Sequence, residues 1–476
     1  MAYHAFAGED WPRALRYHIL AGQQAQKLFA NHEGIEHFRK ALRSAEHLPA
    51  AETIAQRQQI NASLGELLTS TGQYEPALEH LQEALALANA LNDNDAKARA
   101  CRWMARLHEN RSEYGLALDW IEQGLNALGN RETAAKAELL AIAGLIHTRQ
   151  GNYDHALEQC QQSLSIAETL HELASLAFAY NLRGIIQLTR GNSTPAMGDF
   201  QRSLELYDQV GDIHGQARAY NVIANVYFNR GQWPEADHYY RQARDIFNQT
   251  GDVYNQAFVD NNLGGISLNQ GRLVEALQFY QEALNDLRKI GGSLYVLGVL
   301  HMNLGAAFIK QEEVDAAVHH LRISQEHFAA AHARDFLPEL YRHFAEAVLL
   351  GQNLQEAEAQ GQQALSLARE LTIRAEEGNS LRVLGEIAGA QDNIGQAERY
   401  IGESLAILEE VGDEYEAARS RLALAKVYHS QGKSEQTLTV LDQCIAVFER
   451  LQAALDLTRA RQLRAKVELE SRGVGN

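Results

Sequence analysis

Basic residues are in short supply. The 476-residue chain sets 43 Lys and Arg against 61 Asp and Glu, a formal net charge of −18, which leaves no general basic face for nucleic acid or an anionic membrane. There are 6 prolines and no sheet-like Val/Ile/Thr runs, so the chain reads as helical. Cysteines number three, Cys101, Cys160 and Cys444, odd in count and far apart, which excludes a disulfide framework and a zinc knuckle. No apolar stretch approaches the ~18 residues of a membrane span, and the opening MAYHAFAGEDW lacks the basic and apolar regions of a signal peptide. Gly-x-x-x-x-Gly-Lys-Ser/Thr and His-Glu-x-x-His are missing too, so no P-loop nucleotide site or zincin centre is expected. No nucleophile, base and orienting group can be assembled, and Asp93-Asn94-Asp95 lacks the Gly and distal Glu of a calcium loop. The expectation is a cytoplasmic, non-enzymatic protein with no cofactor, no metal, no nucleic acid and no membrane among its ligands.

What the chain has is repetition. Segments 72–85 (GQYEPALEHLQEAL), 151–164 (GNYDHALEQCQQSL) and 271–284 (GRLVEALQFYQEAL) share one frame. Its alanine recurs at Ala77, Ala117, Ala156, Ala196, Ala236, Ala276, Ala317, Ala357 and Ala397, so eight steps cover 397 − 77 = 320 residues, or 40 per step, and Thr437 continues the series. Twelve residues before each position stands Gly or Ala, from Gly65 and Ala105 through Gly385 to Ala425. Seven residues after stands another small residue, from Ala84 and Gly124 to Ser404 and Cys444. A column of small residues marks where one helix lies close on the next, since overpacking there costs on the order of 1–3 kcal/mol. The three cysteines fall at or near such positions and read as buried, inert thiols.

This frame resembles the tetratricopeptide repeat, in which helix A carries Gly/Ala and helix B two small residues. The 40-residue unit exceeds the standard ~34 and looks like the subclass of Pins-type scaffolds, kinesin light chains and bacterial peptide-sensing regulators. Gly211-Asp212, Gly251-Asp252 and Gly412-Asp413 look like a helix C-cap glycine followed by an Asp N-cap. The resemblance implies an all-α, right-handed α-solenoid of about ten helix pairs over residues 47–451. Residues 1–46 form a helical lead-in, similar to the region ahead of the repeats in bacterial AAA/STAND-type regulators. Residues 452–476 read as a C-terminal capping helix with a frayed tail. An ATPase or other effector, attached or associated at the N-terminal side, is the partner this lead-in implies.

Family geometry also says which columns face the hollow of the superhelix. They hold Asn181, Asn221 and Asn261 in three consecutive repeats, then Asn225, Asn229 and Asn269, with Phe178, Phe228 and Phe258. Asparagine both donates and accepts, so a row of them can follow an extended backbone regardless of its sequence. Packed helices lie ~8–10 Å apart and a strand advances ~3.3 Å per residue, so one Asn per repeat meets about every third residue. Arg149, Arg218 and Lys310 are placed to meet an acidic residue or a terminal carboxylate. The partner expected is therefore a protein or extended peptide segment in a concave groove. Two alternatives stand beside it: the asparagines bond between neighbouring repeats, or the chain is a self-associating scaffold with no groove ligand.

Overall fold

The computed structural model describes residues 1–473; residues 474–476, in the tail expected to fray, lie outside the described residues. Among the described residues 24 helices, from Ala2–Ala7 to Ala454–Gly473, are joined by short turns, with no strand. Ten antiparallel pairs run from Ala50–Ser70 with Tyr74–Ala90 to Glu414–Ser430 with Ser434–Leu451, and one more, Trp11–Lys27 with Asn31–Glu46, precedes them. In each pair the first helix is called inner and the second outer. The chain is an all-helical solenoid of stacked antiparallel helix pairs.

The small-residue columns explain the pairing. Every alanine from Ala77 to Ala397 in the forty-residue series is fully buried, as is Thr437. A Cβ added to Gly184 would come within 2.4 Å of Phe200, and one on Gly264 within 2.4 Å of Tyr280, so each aromatic ring of the outer helix fills the space left by the inner glycine. The Gly-Asp pairs act as expected. Gly211, Gly251 and Gly412 end outer helices in left-handed conformation, and Asp212, Asp252 and Asp413 accept from the backbone N–H of Gly215, Asn255 and Glu416. At Asp93 the chain turns between helices, and its carboxylate caps the next helix by accepting from Asp95 and Ala96 N–H.

The solenoid winds tightly enough to touch itself. Asn31 Nδ2 donates to Thr250 O at 2.8 Å, and Tyr295 N–H donates to Ser112 Oγ at 2.9 Å. Arg334 and Asp335 N–H both donate to Arg149 O, at 2.8 and 3.2 Å. Gly151 therefore sits between two successive outer–inner turns, one at Arg334–Asp335 and the other at Leu371. That relation is a shift of about five 40-residue repeats, so the chain forms two coils stacked along a seam. Inner–outer turns of the first coil meet outer–inner turns of the second.

Candidate functional site

Inner helices wall two cavities, one in each coil. The first, about 370 Å³, is enclosed by the inner helices between Trp11 and Asn269 and the turns beside them. Arg102, Trp103 and Arg106 come from Asn94–Asn110, Glu66 from Ala50–Ser70, Glu138 from Ala134–Arg149, Phe178 from Leu173–Thr189 and Arg218 from Ile213–Asn229. The walls alternate charge with aromatic surface. Arg102 pairs with Glu138 and lies 4.7 Å over the Trp103 ring; Arg106 pairs with Glu109 at 3.2 Å and lies 5.8 Å over Phe178. Arg218 faces Asp212 at 3.8 Å and the Tyr207 ring at 5.6 Å. Burial pushes the Glu66 carboxyl above its ordinary range, with Arg102 and hydrogen bonds from Gln26 and Trp103 pulling the other way. The Nε atoms of Arg102 and Arg218 are buried without an acceptor.

The second cavity, about 550 Å³, has more apolar walls, among them Ile309, Leu349, Leu350 and Ile394, with Lys310, Glu346, Arg419 and Asp456 at its base. Behind it lies a buried ion network: Arg342 with Glu376 at 2.8 Å, Arg382 with Glu346 at 3.0 Å, Arg419 with Glu416 at 2.9 Å. Burial works to raise Glu346, but Arg342, His343, Arg419 and Arg382 outweigh it and hold its pKa well below the usual carboxylate range.

Three of the expected asparagines, Asn221, Asn225 and Asn261, join Asn262 and Asn303 in one chain of amides. Asn303 Nδ2 donates to Asn261 Oδ1 (2.8 Å), Asn261 Nδ2 to Asn262 Oδ1 (3.3 Å), and Asn262 Nδ2 to Asn221 and Asn225 Oδ1 (3.0 and 3.2 Å). Tyr240 OH donates to Asn225 at 2.6 Å. The ladder thus bonds across three successive inner helices. Asn181 is buried with its Nδ2 unpartnered, while Asn229 is exposed and Asn269 half-buried near their helix ends. Phe178 reaches the first cavity. Phe228 instead stacks on Trp233 and Phe258 packs between Tyr254 and Tyr295, because apolar neighbours stand within reach on both sides.

The three cations separate. Arg218 lines the first cavity and Lys310 the second, where Lys310 donates to Tyr415 OH at 3.0 Å and faces Asp456 at 3.8 Å. Burial lowers the Lys310 pKa, with Asp456 opposing. Arg149 is committed to the seam: Glu109 takes its guanidinium, Tyr254 and Tyr114 oxygens accept from it, and the Tyr295 ring lies beneath at 4.5 Å. The sequence reading missed Glu66, Arg102 and Arg106, which occupy the same inward columns as the asparagines. Their type varies from repeat to repeat, so no column of like residues drew attention to them. The cysteines are buried and free, with burial pushing Cys101 up to about 11 and Cys160 and Cys444 up to about 12.

Comparison with known proteins follows the repeats. Residues 136–209 and 215–289 match a family model described as tetratricopeptide repeat, and residues 62–95 match another of the same description; these stretches carry tetratricopeptide repeats. No curated protein matches its sequence. Among solved structures, a Rap protein complexed with Competence and Sporulation Factor is similar at TM-score 0.55 and 13% identity, over 75% of this chain and 99% of that one. The apo form of RapI gives TM-score 0.43 at 15% identity, over 57% and 97%. Yeast Tom70 gives 0.36 at 13% identity, over 97% of each. At 13% identity the likeness to the Rap protein complex is one of fold. No helix among the described residues is long and apolar enough to cross a membrane.

Proposed function

We propose that this chain, a solenoid carrying tetratricopeptide repeats, binds an extended protein or peptide segment along the hollow of its coil. The observation that carries the reading is the first cavity, where the inner helices bring Arg102, Arg106 and Arg218 together with Glu66, Trp103 and Phe178. The part-exposed guanidiniums of Arg102 and Arg218 offer N–H donors to a ligand carbonyl or carboxylate, a hydrogen bond to a charged group being worth about 1.5–3 kcal/mol, and the aromatic faces supply apolar anchors. The amide ladder extends the polar track beyond the cavity: Asn221 and Asn225 keep free Nδ2 donors, and Asn303 a free acceptor, for a passing backbone. The Rap protein of the same fold holds Competence and Sporulation Factor, a precedent for a coil of this kind with a bound factor.

In a larger assembly the chain serves as the sensor or scaffold part of a regulatory system, with an ATPase or other effector on its N-terminal side. Ligand contacts spanning several inner helices favour one superhelical pitch over another, and that preference is what an effector reads.

The test is selection of extended peptides from a display library on the intact chain, followed by titration against the Arg102→Gln/Arg218→Gln variant. A loss of at least about tenfold, or about 1.4 kcal/mol, with unchanged melting supports the reading. Selected peptides that bind the variant as tightly as the parent place the ligand elsewhere.

A further inference from the structure

The outer helices end in a column of residues about forty apart: Leu91, Arg131, Leu170, Val210, Thr250, Ile290, Ala331, Leu371, Val411 and Leu451. In the second coil these side chains are seated against the first. Thr250, Leu371 and Leu451 are each 4% exposed and Ala331 is fully buried. Leu371 and Leu451 rest on Gly151 and Gly231, and Ile290 and Val411 on Gly72 and Gly191. In the first coil the same column has nothing beneath it: Leu91 and Leu170 are 37% exposed and Val210 is 43% exposed. The lower edge of the first coil is therefore continuous with the seam and carries unseated apolar knobs at Leu91, Leu170 and Val210, interrupted by the exposed Arg131, which pairs with Asp95.

The sockets show what fits those knobs. Each is an inner–outer turn in left-handed conformation, floored by glycine at 72, 151, 191 and 231 and by serine at 112. A Cβ on Gly72 or Gly151 would approach the seated side chain to 2.8 or 2.7 Å. On the free upper edge of the second coil the equivalent positions are Glu312, Gln352 and Asp392, with φ of 64°, 60° and 59°. Non-glycine residues there hold a backbone conformation that glycine adopts with less strain, and each adds a side chain where the seam's sockets are mostly bare glycine. Gly432 is the exception, and a Cβ there would meet nothing.

We propose that the lower edge around Leu91, Leu170 and Val210 is a docking surface for another coil of helical hairpins whose inner–outer turns carry glycine or serine. The upper edge of a second copy offers one such turn among Glu312, Gln352 and Asp392, so the polar turns keep copies from stacking end to end. This docking is independent of the ligand proposed for the hollow.

Two experiments on the full chain test it. In the first, Glu312→Gly/Gln352→Gly/Asp392→Gly gives the upper edge the sockets of the seam while relieving left-handed strain. Static light scattering should show single-chain mass for the parent and at least about a two-fold rise in mass-average for the variant. Adding Leu170→Asp/Val210→Asp should restore single-chain mass. A triple variant that stays single, or an assembly that survives the added charges, overturns the proposal. Association of the parent through Leu170 and Val210 assigns the edge to a second copy and overturns it equally. In the second experiment, Leu170→Asp should leave the melting temperature unchanged while Leu371→Asp, at a seated position, lowers it; equal losses show that the lower edge is already covered and sink the idea.

Discussion

Leu371 Cδ2 stands 2.7 Å from where a Cβ on Gly151 would sit, although the two residues are 371 − 151 = 220 positions apart. Gly151 is also held at φ +77°, so the site is closed to side chains twice over, by conformation and by space. Gly151→Val should destabilise by several kcal/mol through left-handed strain and overpacking, and Leu371→Ala by about 2–5 kcal/mol through the cavity it leaves. Denaturant melts of both variants check this. A neutral Gly151→Val means that the coils do not press together there.

Glu109 is fully buried and depends on Arg149 and Arg106 for its counter-charge. Arg149→Met should cost on the order of 3–5 kcal/mol, because it strands a buried carboxylate. Arg149→Met/Glu109→Gln should cost less than the single change. If the double variant is the weaker of the two, the pair is not the unit that stabilises the seam.

Acid and base should act on the seam and the repeats in opposite senses. Burial pushes Asp335 up to about 7, against the hydrogen bond from Tyr295 and the charge of Arg149. The folded state then holds this proton more tightly than the unfolded chain, so its contribution is present below the ordinary carboxyl range and is lost as pH rises towards 7. Asp335→Asn should flatten the melting temperature between about pH 4 and 7; a slope identical to the parent's assigns the effect to Asp413, which burial and Glu416 also push up to about 7.

His301 behaves in the reverse way. Burial, with His320, His327, Arg288 and His319 around it, lowers it to about 3, and its ring nitrogen lies 2.9 Å from that of His320. The unfolded chain takes up this proton first, so stability is lost as pH falls from about 6.5 towards 3. His301→Gln should shrink the acid limb of the melting curve. No change in that limb removes His301 as its source.

Asn221→Ala/Asn225→Ala removes both acceptors of Asn262 and one end of the amide track. Each lost bond is worth about 0.5–1.5 kcal/mol, so a modest fall in melting temperature is expected, together with a roughly tenfold or larger loss of affinity for library-selected peptides. A stability loss with full affinity returns the ladder to a purely inter-repeat role.

The repeat was legible because its signal is local and redundant. Ala77 to Ala397 recur in register, and each must be small for reasons internal to one helix pair. The inward columns were legible as positions, and Phe178, Arg218 and Lys310 do reach the cavities. Arg149 shares its column with Lys310 yet lies in the seam, a difference that no single repeat contains.

The forty-residue spacing by itself determined the helices, their pairing and the face each turns inward, since those follow from side-chain size over distances of a turn or two. How far the pairs rotate from one to the next is a sum of small packing angles over five repeats, and only the tertiary structure decided it. That rotation brought Gly151 under Leu371, gathered Arg102 and Arg218 around one cavity, and left Leu170 and Val210 uncovered.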